Sequence, residues 1–140
     1  MLTRRILELN YSINDVDAVA KELLEHVSSK IILFYGDMGV GKTTLVKAII
    51  KTLGSQDDVQ SPTYSIVNEY KVNDTVLYHF DLYRIESIEE VYDFGIEDYL
   101  DSNNWCFIEW PEIIEDILPD RVNRLFLELN NDKTRKIRFK

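Results

Sequence analysis

The segment Gly36-Asp-Met-Gly-Val-Gly41-Lys42-Thr43 matches G-x-x-x-x-G-K-[ST] without a deviation. That spacing describes a cradle for phosphate. The glycines permit positive φ and a close backbone approach to an anion. Successive N–H groups then point inward, and a helix starting near Lys42 adds the positive end of its dipole. Lys42 supplies a mobile point charge for the outer phosphates of a nucleotide, and the Thr43 hydroxyl is a ligand for Mg²⁺. Asp37, Met38, Gly39, Val40 and Gly41 contribute the loop backbone, and Thr44 is a further candidate for a phosphate contact. A chance match of this pattern in a chain of this length has a probability of about 0.5%. The all-apolar run before the loop and the amphipathic stretch after it lower that further.

A phosphate loop needs a carboxylate to help hold the metal, usually at the end of an apolar strand beside it. Two strand ends qualify: Val76-Leu-Tyr-His-Phe-Asp81 and Trp105-Cys-Phe-Ile-Glu109. Ligands of open α/β sheets bind at strand termini of this kind. The competing explanation is that each acid merely caps the next helix. Ser61-Pro-Thr-Tyr64 fits a loop closing over the outer phosphate, with Thr63 as a second hydroxyl donor. Trp110, directly after Glu109, either walls the pocket, anchors a partner or packs in the core. Tyr11 is a candidate neighbour of the purine, on the condition that the first helix borders the pocket. His26 and His79 have no partners at metal-ligand spacing and read as structural; Cys106 reads as inert packing within a buried strand.

The elements that must position these residues follow from periodicity. Residues 6–9 read as a first strand and 13–28 as a helix, opened by Ser12 three residues before Asp15 in capping-box spacing. Ile31-Ile-Leu-Phe-Tyr35 is a continuous apolar run that suits a strand buried on both faces, as in a parallel sheet. The helix after the loop carries Leu45, Val46, Ile49, Ile50 and Leu53 on one side and ends near Gly54. Residues 66–72 and 76–80 form a hairpin turned at Asn73-Asp74. Short helices over 86–100 break at Gly95, and Pro111 opens another. Strands near 122–129 and 134–140 close the chain. This order predicts one α/β domain over 1–140: a mixed sheet with a parallel centre and helices on both faces.

Composition narrows the function. The chain has 140 residues, 45% hydrophobic and 29% charged, enough for one core. A single cysteine excludes a disulfide framework. The start, Met1-Leu-Thr-Arg-Arg5, does not lead into the apolar stretch of a signal peptide, and no run reaches a membrane-spanning length, so a cytoplasmic location is expected. A net charge of −9 repels a phosphate backbone, which argues against unaided nucleic-acid binding. No N-K-x-D or D-x-x-G motif of a GTPase occurs. Seven arginines and no inserted lid leave little for a small-molecule kinase. A minimal ATPase remains.

The sequence resembles the TsaE (YjeE) family, the P-loop ATPases of bacterial tRNA threonylcarbamoyladenosine synthesis. The resemblance lies in Gly36–Thr44, Ser61-Pro-Thr-Tyr64, His79-Phe-Asp-Leu-Tyr-Arg84 and Ile108-Glu-Trp-Pro-Glu112, and covers nearly the whole chain. It implies a P-loop NTPase-like parallel sheet core flanked by antiparallel strands. It implies ATP and Mg²⁺ binding, with Thr43 and Glu109 at the metal and Lys42, Asp81, Thr63 and Trp110 in the active site. It also implies action with TsaB and TsaD, which modify the adenosine beside the anticodon, by an ATPase weak on its own. The charge suits that role: tRNA would be met only through the partners. The alternative is a nucleotide-dependent regulatory module without significant turnover.

Overall fold

The computed structural model describes residues 6–57 and 66–140. Seven strands form one sheet: β1 (Leu7–Tyr11), β2 (Ile31–Tyr35), β3 (Val67–Val72), β4 (Thr75–Asp81), β5 (Trp105–Glu109), β6 (Asn123–Leu129) and β7 (Arg135–Phe139). Their spatial order is β1-β7-β6-β2-β5-β4-β3. The central four, β6, β2, β5 and β4, run parallel. Antiparallel strands flank them: β3 beside β4, and β7 and β1 beyond β6. The parallel centre and antiparallel margins agree with the sequence pattern.

Alternation along β2 explains why both faces are covered. Ile32 and Phe34 face the helices α1 (Val16–Leu24) and α2 (Lys42–Thr52), packing with Leu23, Leu45 and Ile49. Ile31 and Leu33 face the opposite way, toward α3 (Ile88–Asp93), α4 (Ile96–Leu100) and the 3-10 helix Pro111–Ile117, packing with Val91, Ile96 and Ile114. Both layers are buried along Ile31–Phe34, which is why those positions are all apolar; Tyr35, at the strand end, is half-buried and donates its hydroxyl to Glu115.

Boundaries shift where long-range contacts intervene. The first helix is not continuous over 13–28: Ile13–Asp15 is a 3-10 turn and α1 ends at Leu24. Asn123 Oδ1 accepts hydrogen bonds from Ser28 N and Ser29 N at 3.0 and 2.9 Å and draws the chain into β2. A residue 95 positions away is invisible to helical periodicity. Ser12 and Asp15 meet side chain to side chain at 2.9 Å, with no side-chain cap on a backbone N–H. The first strand runs from Leu7 to Tyr11 because its register with β7 extends to Tyr11↔Arg135. Gly95 does divide α3 from α4, at φ 79°, and Asn73 turns the β3–β4 hairpin at φ 55°.

Among the described residues no helix is long and apolar enough to cross a membrane.

Candidate functional site

The parallel register brings the predicted carboxylates together. Asp81 closes β4 and Glu109 closes β5, and the two are register partners. Glu109 is also the partner of Phe34, one residue before the end of β2. The loop leaving β2 therefore starts beside Glu109, with Asp81 one strand further on. Loop and helix then return over the same sheet face, because α2 packs on the Phe34 and Phe107 side.

Two glycines shape the loop. At Gly36 a β-carbon would lie 2.7 Å from the Leu127 carbonyl oxygen and 3.0 Å from Val40 Cγ2, so only hydrogen fits between loop and β6. Gly41 caps α2 at φ 101° and ψ 20°, a left-handed conformation that turns the chain into the helix. The first turn of α2 thus faces a cavity of about 390 Å³. Its walls include Met38, Gly39, Lys42, Thr43, Asp81 and Glu109, with Trp110 and Arg135 at its sides.

Lys42 is 6% exposed, although its partners are few. Its Nζ donates to the Gly36 carbonyl at 2.6 Å and lies 3.5 Å from the centre of the Trp110 ring. Burial pushes its pKa down, opposed by Glu109, Asp81, Glu112 and Asp37 in that order. The cavity therefore places a desolvated cation against a cluster of carboxylates. Burial raises the Asp81 pKa; the Tyr83 N–H bond opposes this and the nearby Glu109 charge adds to it. Asp81 Oδ1 accepts that bond at 3.0 Å, so this acid also caps a turn.

Trp110 packs at 5.0 Å against the exposed Tyr83 and adopts φ 56°, ψ 56°, outside the usual range of a non-glycine residue. Pro111 follows at the first position of its 3-10 helix. The ring is held over Lys42 by the backbone at the end of β5, so Trp110 is a wall of the site. Thr44 lines the cavity, Asp37 is exposed, and Val40 is buried with its carbonyl turned to Arg135. Tyr11 is buried on β1 beside Arg135 and lines a neighbouring depression with Ser12, Asp15 and Thr134. Burial pushes its hydroxyl up to about 12. Thr63 and the segment 61–64 lie outside the described residues.

Two residues in the neighbourhood escape sequence reasoning. His79 is fully buried, with Nε2 2.7 Å from Glu109 Oε2. Strand alternation does carry that signal, since His79 lies two residues before Asp81 on the same face. Arg135 reaches the loop from β7, with Nε 3.4 Å from the Val40 carbonyl. Only the β6–β7 pairing brings it there, and no local motif announces it.

The sequence profile described as "Threonylcarbamoyl adenosine biosynthesis protein TsaE" matches residues 11–137. The chain belongs to the TsaE family. A Haemophilus influenzae TsaE is 44% identical over 72% of the chain, the match spanning 65% of that relative's length. A Bacillus subtilis TsaE is 36% identical over 78% of the chain and 68% of its own length. The crystal structure of Bacillus subtilis YdiB superposes with a TM-score of 0.76 at 26% identity, covering 99% of this chain and 87% of that one. The family match includes the loop, both acidic strand ends and Arg135. Family members carry the name of a tRNA threonylcarbamoyladenosine biosynthesis protein.

Proposed function

We propose that this chain is the ATP-binding and hydrolysing subunit of tRNA threonylcarbamoyladenosine synthesis, with a P-loop NTPase-like fold, working in the cytoplasm with TsaB and TsaD. The observation that carries this reading is one cavity that joins the phosphate-loop lysine and threonine to two carboxylates at adjacent strand ends. In it the loop backbone and Lys42 hold the phosphates. The walls suit Mg²⁺: a hydroxyl and carboxylates, all hard oxygen donors. Among the described residues no group of three His, Cys, Asp or Glu side chains forms a closed metal cage. That agrees with an ion that keeps its waters and shares phosphate oxygens. Thr43 and Glu109 would hold it, and the ion would neutralise charge on the transferring phosphoryl group.

The chain's own groups do the rest. Lys42 brings a positive charge that burial has already stripped of water, which strengthens it toward an anion. Asp81, one strand beyond Glu109, would orient water or the loop over the outer phosphate. Trp110 and Tyr83 form an aromatic lip beside the cavity, a surface of the kind partner proteins bind. The acidic surface favours a protein partner over bare tRNA.

The test is reconstituted modification. TsaB, TsaD, tRNA and the threonylcarbamoyl donor are combined with and without this chain, and modified adenosines are counted per TsaD. The chain with ATP should give repeated turnovers, and a non-hydrolysable ATP analogue should not. Equal yields with and without the chain would refute the reading. Equal yields with ATP and the analogue would leave the regulatory module in its place.

A further inference from the structure

A buried charge-capable pair of the site, His79 with Glu109, points to a role for a residue outside the cavity wall. Glu109 is 3% exposed, and a carboxylate so far from water needs hydrogen-bond donors. His79 supplies one at 2.7 Å from within the sheet. A carboxylate that ligates a metal only accepts, and that role calls for the imidazole hydrogen on Nε2. Its Nδ1 is buried and, among the described residues, has no hydrogen-bond partner. A ring in that position is a poor choice for packing alone. On this face it has apolar neighbours, Leu77 on its own strand and Phe107 opposite on β5, and polar ones, Asp81 on its own strand and Asn68 opposite on β3; an apolar side chain would fill the space with no unsatisfied atom. Among the described residues, the hydrogen bond that His79 makes with its side chain goes to Glu109.

We propose that His79 is a positioning residue for the metal, fixing Glu109 through Oε2 so that Oε1 is presented to the ion. This rests on the metal–nucleotide reading above. The bond joins β4 to β5 across their parallel register and fixes the carboxylate plane before any ligand arrives. Partners of this kind typically change metal affinity about 10- to 100-fold when lost. Nucleotide binding without metal depends on the loop and Lys42 and should be unaffected, since the hydrogen bond of His79 goes to Glu109.

The experiment uses the whole chain and compares His79→Gln with His79→Asn. The Gln amide nitrogen extends as far as Nε2 and can donate to Glu109; the Asn amide nitrogen stops at the position of Nδ1 and cannot. ADP affinity is measured calorimetrically in EDTA, and Mn²⁺ binding to the ADP complex by electron paramagnetic resonance. ADP affinity in EDTA should stay within about threefold of wild type in both variants. Mn²⁺ affinity should fall about 10- to 100-fold in His79→Asn and be largely restored in His79→Gln. His79→Met, apolar and of similar reach, should repeat the loss, so a folding failure of one variant leaves the comparison intact. Equal Mn²⁺ affinities in the Asn and Gln variants, or a wild-type value in His79→Asn, would overturn the proposal while leaving the nucleotide site standing. A wild-type protein that binds no ADP, or whose ADP complex gains nothing from the protein in holding Mn²⁺, would overturn the underlying reading as well.

Discussion

Replacing Lys42 by Met separates what the lysine does for the ligand from what it does to the fold. The ammonium has one carbonyl partner at 2.6 Å and the Trp110 face at 3.5 Å, so donors remain for phosphate oxygens. One charge-assisted hydrogen bond contributes about 1.5–3 kcal/mol, or roughly 10- to 150-fold in affinity. Moving off the indole face would return about 0.5–2 kcal/mol of that. A loss of about fivefold at mid-range, and up to about 70-fold, in ATP affinity is therefore expected for Lys42→Met, with a smaller loss for ADP. The fold should respond in the opposite sense. Burial lowers the lysine pKa in the folded state, so the unfolded chain binds the proton more tightly. The resulting destabilisation is fully present below the folded pKa and disappears as pH rises through the unfolded value. At neutral pH the nucleotide-free variant should melt no lower than wild type, and any advantage should close at high pH. Calorimetric titration and thermal melts between pH 7 and about 10.5 supply both readings. Equal ATP affinities would refute the phosphate assignment. A variant destabilised by more than about 2 kcal/mol would show that the lysine is structural.

Other perturbations test the geometry of the loop and the sheet ends. Gly36→Ala forces a β-carbon to within 2.7 Å of the Leu127 oxygen and should destabilise by about 1–3 kcal/mol, read by urea denaturation. Gly39→Ala meets nothing within 4 Å and should cost only about 1–2 kcal/mol for its φ of 82°; the reverse ranking would contradict the placement of the loop. Asp81 has a raised pKa from burial, so its charge weakens the metal-free fold above the folded pKa, and the effect vanishes below the unfolded one. Asp81→Asn should therefore raise the melting temperature at neutral pH and not at low pH; a lowered value at neutral pH would contradict this. Burial pushes the Cys106 thiol up to about 12, so alkylation of the folded protein should track global unfolding, and fast labelling would show that β5 opens locally.

The sequence carried the loop and its flanking elements because their signals are local. Ile31–Phe34 is apolar at every position since both faces are covered, and Gly36–Thr43 has a fixed spacing set by phosphate geometry. Asp81 and Glu109 were visible as ends of apolar runs, but their adjacency depends on β4 pairing in parallel with β5. What was not legible rests on distant pairing. Arg135 reaches the loop only through β7, and Ser28 and Ser29 leave helical geometry because of Asn123. Metal-ligand spacing does not reveal the role of His79, because its partner is a carboxylate on the next strand, 30 residues away. The sequence alone does not separate wall, anchor and core for Trp110, because its left-handed backbone, which no spacing pattern predicts, sets the ring over Lys42.

Steady-state phosphate release at saturating Mg-ATP, for wild type and Glu109→Ala with and without TsaB and TsaD, addresses the central claim most directly. The partners should raise the wild-type rate at least about tenfold, a fall of roughly 1.4 kcal/mol in the barrier. Glu109→Ala should reduce the stimulated rate by about 10²- to 10³-fold while the protein stays folded. A wild-type rate that neither partner changes, or a Glu109→Ala rate equal to wild type, would contradict the account.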